Sequence, residues 1–326
     1  MKAVIAREPG GPEVLQLVER PVPALQAGEV LIRVAAAGVN RPDVMQRGGS
    51  PIPAGVTDVL GLEAAGIVVA LGKGVDEFAL GDRVMALLNG GGYAEYAVAQ
   101  AAHCLPVPVE LSLLDAAGVP EAAFTVWHNL FELGRLRSGD SVLIHGAASG
   151  VGSFAVQCAQ AAGARVIATA GGPQKVAMLQ ALGVWRAIDR HLEDFVEGVN
   201  DCTEGRGVDV VLDNVGGPYV ARNLAAMAMG GRHMSLSFLQ GAHIELDLQV
   251  LMRKNLCLTA STLRPKSHAE KARLAVCIRS RFLPWLASGL VRPQIHAQLP
   301  LAQAADAHRL LEANANVGKV VLTVAE

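Results

Sequence analysis

Charged residues are sparse in this 326-residue chain and nearly balanced in sign. Lys and Arg number 28 and Asp and Glu number 30, so the formal net charge is −2, and charged residues make up 18% of the chain. Nucleic acids and other polyanions attract proteins through clustered positive charge. The composition therefore argues against nucleic-acid binding as the main task.

Long apolar runs are also missing. None approaches the roughly 18 residues that a helix needs to span a bilayer. The first ten residues form a short strand-like run that Pro9 and Gly10 interrupt, which is unlike a signal peptide. The sequence predicts a cytoplasmic protein with no membrane partner.

Cysteine is scarce, and its spacing does not suit a metal or redox site. The five cysteines are scattered, with no Cys-x-x-Cys pair, at Cys104, Cys158, Cys202, Cys257 and Cys277. A structural zinc site needs four closely spaced ligands, and the nine histidines show no ligand spacing either. We predict reduced thiols packed as small hydrophobic side chains, and no metal site.

The most informative segment present is 141–152, where a short β-branched strand runs into a loop of small residues and then into a helix. That order of elements can hold a pyrophosphate, because the helix presents unpaired N–H groups to the anion. The loop reads Ala-x-x-Gly-x-Gly, with Ala147 in the place of the usual first glycine. Gly150 and Gly152 leave room for phosphate oxygens or for packing on the sheet. The pattern predicts a dinucleotide site.

The chain changes character near residue 122. Before it, several strand-like runs separated by Gly and Pro predict a rolled or barrel-like sheet. After it, strands alternate with helices, which predicts a doubly wound parallel sheet with right-handed crossovers. We expect an α/β protein with a β-rich domain over 1–122, a dinucleotide-binding domain over 123–263, and a segment 264–326 that returns to the first domain through a strand at 319–324.

The end of the second parallel strand bears on which cofactor binds. NAD-binding units usually place Asp or Glu there, but here the strand ends in small residues at Gly171 and Gly172. Lys175 and Arg190 follow, and cations attract a 2′-phosphate. We therefore predict NADPH. The alternative is that Lys175 solvates a helix start and Arg190 a loop, where Asp189 could neutralise it.

Several motifs follow one another along nearly the whole chain, at 38–43 (GVNRPD), 61–66 (GLEAAG), 81–84 (GDRV), 91–96 (GGYAEY), 145–152 (HGAASGVG) and 316–320 (NVGKV). With them the chain resembles the zinc-free quinone oxidoreductases of the medium-chain dehydrogenase/reductase superfamily. Segments 41–47 and 261–264 resemble the p53-inducible type within that family. The resemblance implies a GroES-like catalytic domain, a Rossmann domain, and NADPH-dependent reduction of quinones or electron-poor enones.

The resemblance also implies where the cofactor lies. Asn40 would lie beside the nicotinamide and Thr125 near its ribose or phosphate, and no general acid is assigned. The other implied contacts are the pyrophosphate cradle of Ala148, Ser149, Gly150, Val151 and Gly152, the adenosine phosphate contacts Gly172 and Lys175, the carboxamide contacts Phe238 and Leu239, and the C-terminal contacts Asn316 and Lys319. Relatives often carry Tyr where this chain has Arg190, a change that strengthens the cationic interpretation of the 2′-phosphate site.

Zinc-dependent relatives place a Cys ligand near position 40 and a His in a Gly-His-Glu segment, whereas this chain has Asn40 and Leu62 there. Without a Lewis acid to stabilise an alkoxide, we expect substrates that delocalise the incoming charge over their own oxygen. An enal or enoyl-thioester reductase is the alternative, although many relatives carry Tyr where this chain has Ser50. A non-catalytic NADPH-binding protein is a further alternative.

The segment 256–261 is expected to form an edge strand of the parallel sheet. An apolar edge needs covering, and the resemblance implies that two subunits pair edge to edge. The sequence therefore predicts a homodimer with a small-molecule substrate.

Overall fold

The computed structural model describes residues 1–324, which fold as two compact units. Unit 1 comprises Met1–Phe124, Arg264–Gly289 and the chain from Pro293 onward, and unit 2 comprises Thr125–Leu263 and Leu290–Arg292. The structure thus divides the chain two residues after the boundary drawn from the sequence, and it assigns 290–292 to unit 2. Residues 325 and 326 of the returning segment 264–326 lie outside the described part.

The first part of unit 1 is dominated by strands. Its elements are β1 (Lys2–Ala6), β2 (Leu15–Glu19), β3 (Glu29–Val39), α1 (Arg41–Arg47), β4 (Glu63–Leu71), β5 (Arg83–Leu87), β6 (Tyr96–Gln100), β7 (Cys104–Pro106), α2 (Leu113–Ala116) and α3 (Pro120–Val126). In β3 buried and more accessible residues alternate over the first half, as expected for a strand with one face on a core. Its second half is buried on both faces.

Unit 2 alternates strands and helices, and a π-helical segment, Trp127–Leu133, continues α3. Its elements are β8 (Ser141–Ile144), α4 (Gly150–Ala161), β9 (Arg165–Ala170), α5 (Pro173–Ala181), β10 (Arg186–Asp189), α6 (Phe195–Thr203), β11 (Val208–Asp213), α7 (Tyr219–Ala226), β12 (Met227–Ser235), α8 (Leu248–Lys254) and β13 (Cys257–Ala260). The helix predicted near 192–199 begins later, because the Asp194 carboxylate caps the N–H groups of Val196 and Glu197.

The six strands of unit 2 form one sheet in the order β10-β9-β8-β11-β12-β13, with every neighbouring pair parallel. This is the strand order of the doubly wound Rossmann fold, and it confirms the predicted fold class. The four residues of β8 are all buried, since helices cover both faces of such a sheet. The predicted edge strand is also confirmed, because β13 ends the sheet.

The chain then returns to unit 1 as α9 (His268–Ala287), β14 (Ile295–Pro300), α10 (Ala304–Glu312) and β15 (Lys319–Thr323). Strand β15 pairs antiparallel with β3, with Val320 opposite Val39, so the last strand rejoins the first domain as predicted. A seven-stranded sheet results, in the order β14-β15-β3-β4-β5-β7, with β6 also paired to β3. This register brings Lys319 beside Asn40, the residue that follows β3.

Each unit has its own hydrophobic core. In unit 1 it centres on β3 and β4, with Val30, Ile32 and Val68 fully buried. In unit 2 it includes Leu143 of β8 and Ile167 of β9. Among residues 1–324, no helix is both long and apolar enough to cross a membrane.

Candidate functional site

The glycine loop lies where the strand order of the unit 2 sheet reverses, between β8 and β11. The chain turns at Gly146 with a positive φ of 58°. Ser149 then caps α4, its hydroxyl accepting a hydrogen bond from the Gly152 N–H at 3.0 Å. A Cβ on Gly152 would lie 2.4 Å from the carbonyl oxygen of Gly146, so only glycine fits there. The structure thus places Gly146 and Gly152 in a tight turn that leads directly into the first turn of α4.

An amide side chain with an unmet hydrogen bond lies against this loop. Asn214 follows β11, and a Cβ on Gly146 would lie 2.4 Å from its Nδ2 atom. The Oδ1 atom of Asn214 is buried and accepts no hydrogen bond. Because an unpaired buried acceptor is costly, this oxygen suits a ligand hydroxyl or N–H group. No local signal marked Asn214 in the sequence.

Phe238 and Leu239 lie on the loop after β12, with 47% and 52% of their surface exposed. The loop is fastened to the segment after β11, since the Gln240 N–H donates to the Val215 carbonyl at 2.8 Å. A Cβ on Gly216 would lie 2.9 Å from Phe238 Cδ1. Both predicted carboxamide contacts therefore lie at the edge of the sheet that carries the glycine loop.

Lys175 and Arg190 lie near each other after the second and third strands. Burial lowers the pKa of the Lys175 ammonium, and the Arg190 guanidinium lowers it further. The Arg190 side chain lies over Gly171, whose Cβ would be 2.7 Å from the Arg190 Nε atom. Two cations held close together repel each other, and an anion bound beside both would relieve that repulsion.

Asp189 is the residue that could neutralise Arg190 if Arg190 did not bind a phosphate. Its Oδ1 atom accepts the N–H groups of Gly172 at 3.1 Å and His191 at 3.0 Å. These backbone hydrogen bonds are the main reason that the pKa of Asp189 is lowered, and attraction to Arg190 is a smaller one. Asp189 therefore fastens the turn at Gly172, which begins α5 with φ of 87°.

A buried polar network underlies the glycine loop. His145 lies 2.9 Å from the Thr169 hydroxyl and 2.7 Å from Asn223 Oδ1. Burial lowers the pKa of His145 to about 4, so the imidazole is neutral, as expected for a packed residue rather than a ligand. Asp213 continues the network, since it contacts Asn223 at 3.1 Å and His233 at 3.2 Å. The sequence analysis missed these last three residues.

In unit 1, Asn40 is held by two charged side chains. Its Nδ2 atom donates to Glu63 Oε1 at 2.8 Å, and its Oδ1 atom accepts from Lys319 Nζ at 2.6 Å. Lys319 also forms an ion pair with Glu63, at 2.5 Å. The structure therefore brings together Asn40 and Lys319, two of the predicted positions, and adds Glu63 as the carboxylate that joins them.

Asp43 fixes the turn after β3. Its Oδ2 atom accepts from the Asn40 N–H at 2.8 Å and from the Tyr93 hydroxyl at 3.2 Å, and its Oδ1 atom accepts from the Gly61 N–H at 3.2 Å. Burial raises the pKa of Asp43 to about 7. The Tyr93 hydroxyl also lies 3.2 Å from His308 Nε2. These contacts set the position of the Asn40 backbone.

Glu121 is a further acidic residue that the sequence analysis did not single out. Its N–H donates to Glu63 Oε2 at 2.8 Å. Burial, followed by repulsion from Glu63, raises the pKa of the Glu121 carboxyl to about 8. The only sequence signal was its place after Pro120, the first residue of α3.

Two further predicted positions form hydrogen bonds with groups close to them in the sequence. The Asn316 amide is turned to its own backbone and donates to the Gly318 carbonyl at 2.6 Å. Thr125 lies half-buried on α3, and its carbonyl accepts from Asn129 Nδ2 at 2.9 Å. Within residues 1–324, no three His, Cys, Asp or Glu side chains are grouped so that they could hold a metal ion.

Two family models match the chain. Residues 26–109 match the alcohol dehydrogenase GroES-like domain, and residues 150–276 match the zinc-binding dehydrogenase domain. Rat quinone oxidoreductase is 32% identical over 327 residues, which cover 99% of this chain and 97% of that protein. A mycocerosic acid synthase-like polyketide synthase of Mycobacterium tuberculosis is 33% identical over 322 residues, but the chain spans only 15% of its length.

Solved structures share the fold over almost the full length. Escherichia coli quinone oxidoreductase complexed with NADPH is 32% identical, with a TM-score of 0.88 over 99% of this chain and 100% of that one. An NAD-dependent alcohol dehydrogenase is 35% identical, with a TM-score of 0.89 over 100% of both chains. The JamJ enoyl reductase is 28% identical, with a TM-score of 0.86 over 99% of both chains.

Proposed function

The chain belongs to the quinone oxidoreductase family of the medium-chain dehydrogenases/reductases, and we propose that it is an NADPH-dependent reductase of quinones or similar electron-poor conjugated carbonyls. The main support for this proposal comes from the hydrogen bonds of the Asn40 side chain, which argue against a metal ion at this position. Both ends of its amide are engaged, one by Glu63 and one by the Lys319 ammonium. An ammonium group beside the amide repels a metal cation, so we propose zinc-independent chemistry.

The residues of unit 2 fit a dinucleotide on three grounds. The glycine loop leaves no room for a Cβ at Gly152. The Asn214 Oδ1 atom lacks a donor, and Lys175 and Arg190 form a pair of neighbouring cations. This pair favours NADPH, since a 2′-phosphate would carry the negative charge that the pair attracts. When bound, NADPH supplies the hydride.

The residues proposed to hold NADPH have separate tasks. Gly172 supports the turn that presents Lys175, and Lys319 fixes the amide of Asn40 beside the nicotinamide. The proposed contacts are Asn40, Thr125, Ala148, Ser149, Gly150, Val151, Gly152, Gly172, Lys175, Arg190, Phe238, Leu239, Asn316 and Lys319.

The proposed substrates carry their own electron sink. A quinone, or an alkene conjugated to a carbonyl, accepts hydride and places the resulting charge on its own oxygen. The protein then has to orient the acceptor and exclude water, which positioning residues on rigid elements can achieve. An enoyl-thioester acceptor is the second candidate, and the similarity to the JamJ enoyl reductase supports it.

We also propose that two copies pair through β13. This strand ends the parallel sheet, and its residues Cys257 and Ala260 are exposed. An open strand edge offers unpaired backbone groups to a second copy.

The test is oxidation of NADPH and of NADH with two acceptor panels, followed through the absorbance of the reduced nicotinamide. One panel holds ortho- and para-quinones and simple enones, and the other holds enoyl thioesters. We expect turnover of the first panel and a higher kcat/KM with NADPH than with NADH. Turnover of enoyl thioesters alone would establish the second candidate. Tight NADPH binding without turnover of either panel would indicate a non-catalytic protein.

A further inference from the structure

His191 lies beside the pair of cations formed by Lys175 and Arg190. A Cβ on Gly171 would lie 2.7 Å from the His191 Nε2 atom and also 2.7 Å from the Arg190 Nε atom. The two side chains therefore rest on the same glycine, directly after β9. Their nitrogen atoms are close enough together to contact the oxygens of one phosphate group.

The backbone of both residues is held in place, whereas their side chains are exposed. The Arg190 N–H donates to the Ala170 carbonyl, at the end of β9, at 2.9 Å. The His191 N–H donates to Asp189 Oδ1 at 3.0 Å. Among residues 1–324, neither the Arg190 guanidinium nor the His191 imidazole forms a hydrogen bond. Both groups can therefore turn to a ligand without breaking a structural contact.

Charged groups near His191 come from β10, from its own loop and from α5. Asp189, the last residue of β10, is buried and uses one carboxylate oxygen to accept two backbone N–H groups. Glu193 forms an ion pair with an arginine of β10, so its charge is compensated. Arg190 and Lys175 add positive charge, and Arg190 acts on Lys175 directly. A bound phosphate would be attracted by these cations, and more strongly if His191 also carried charge.

We propose that His191 is a third contact of the 2′-phosphate, and that its protonation strengthens the preference for NADPH over NADH; this role rests on the proposed NADPH site. Imidazole is the side chain that gains charge as the pH falls from about 8 to about 5. A protonated imidazole donates a charge-assisted hydrogen bond to phosphate, whereas a neutral one donates a weaker, uncharged bond. NADH lacks the 2′-phosphate and should not sense the change.

The experiment measures the Kd of NADP⁺ and of NAD⁺ by isothermal titration calorimetry at about pH 6 and about pH 8, on either side of the usual imidazole transition. The oxidised nucleotides are used because reduced nicotinamides decompose in acid. The selectivity is the Kd for NAD⁺ divided by the Kd for NADP⁺. A phosphate monoester itself titrates at about pH 6, so proteins are compared with one another at each pH.

Two variants change the charge at this position, and both keep the backbone N–H that Asp189 accepts. His191→Asn cannot become a cation, so it should lower the selectivity about 3- to 10-fold at about pH 6 and less at about pH 8. His191→Lys stays charged and should raise the selectivity above that of wild type at about pH 8. Both variants should bind NAD⁺ as wild type does. His296, an exposed histidine on β14, supplies the control His296→Asn.

The role of His191 would be overturned if His191→Asn had wild-type selectivity at the lower pH, or weakened binding of both nucleotides alike. A His191→Lys protein without higher selectivity at the upper pH would also overturn it. Wild type that bound NAD⁺ and NADP⁺ equally at both pH values would refute the NADPH site and this contact together. Failure of the reductase function would look different, because turnover of both acceptor panels would be absent while the selectivity changes remained.

Discussion

Lys319 and Glu63 form an ion pair that is almost completely withdrawn from water. The Lys319 Nζ atom lies 2.5 Å from Glu63 Oε1, and the two side chains are 4% and 0% exposed. The pair joins β15, the last strand of the chain, to β4 near its start, and Asn40 bonds to both partners. The geometry of Asn40 therefore depends on two charges that neither solvent nor salt can replace.

Removing one partner of this ion pair should destabilise the folded protein more than removing the charge of both partners. Lys319→Met leaves the Glu63 carboxylate buried without a countercharge, so we expect a loss of roughly 3–5 kcal/mol in the free energy of unfolding. The double variant Lys319→Met/Glu63→Gln should lose less. Urea unfolding measures both, and a double variant less stable than the single one would contradict the pairing.

Lys175→Ala should weaken binding of NADPH much more than binding of NADH. A charge-assisted hydrogen bond to phosphate contributes roughly 1.5–3 kcal/mol, so we expect a rise of about 10- to 100-fold in the Kd for NADPH. Fluorescence titration with both nucleotides measures the ratio, and the exposed Lys73 supplies the control Lys73→Ala. Equal losses for the two nucleotides would show that the 2′-phosphate lies elsewhere.

Gly152→Ala should weaken binding of both nucleotides alike. Its Cβ would meet the Gly146 carbonyl oxygen at 2.4 Å, so the loop must shift away from α4. Gly48→Ala is the matched control, because its Cβ would have its nearest neighbour at an ordinary 3.4 Å. Thermal unfolding and nucleotide titration compare the two variants. A Gly152→Ala protein that binds nucleotide normally would exclude the close packing of Gly152 on Gly146.

Asp43 should make the protein less stable as the pH rises from about 4 to 7. Its folded pKa of about 7 exceeds its unfolded value of 3.8, so in this window the folded state holds a proton that the unfolded state has released. Asp43→Asn resembles the protonated carboxyl and removes this dependence. Urea unfolding at about pH 5 and about pH 7 should show wild type losing up to about 1.4 kcal/mol per pH unit relative to the variant. If the free energy of unfolding changed equally with pH in wild type and in Asp43→Asn, the raised pKa of Asp43 would be contradicted.

A charge on the outer strand of the parallel sheet should disrupt the proposed homodimer. Cys257→Lys and Ala260→Lys place cations on exposed positions of β13, and like charges that meet across a symmetric strand edge disfavour pairing. Val69→Lys, an exposed position on β4, is the control. Sedimentation at micromolar concentration should show a dimer for wild type and the control, and monomer for the double variant. A monomeric wild type would refute the proposal.

The parallel sheet was predictable because its signals are local. Strands β8, β9 and β11 are short, largely buried runs, and Gly152 is required by its close approach to Gly146 and Ala147 of the same loop. The missing acid after β9 could also be recognised from the strand end alone. These features follow from neighbours in the chain, so periodicity and turn chemistry detect them.

The contacts of Asn40 could not be derived in that way. Lys319 reaches it only because β15 pairs with β3 in the register that sets Val320 opposite Val39. Asp213 and His233 likewise meet only when β11 and β12 lie side by side. The role of Lys319 came from family resemblance, and no spacing pattern marked Glu121. These contacts could not be predicted because the residues that form them lie far apart in the sequence and meet only through strand pairing.

The return of the chain to its first domain sets an order for folding during synthesis. The six strands of unit 2 have all been made once residue 260 has left the ribosome, whereas the sheet of unit 1 still lacks β14 and β15. Domains fold as units while the chain is synthesised, so the dinucleotide domain can form while its neighbour waits for its last strand. Until then Glu63 lacks its ion-pair partner Lys319, so this buried carboxylate of unit 1 is neutralised only after the strands of unit 2 have been made.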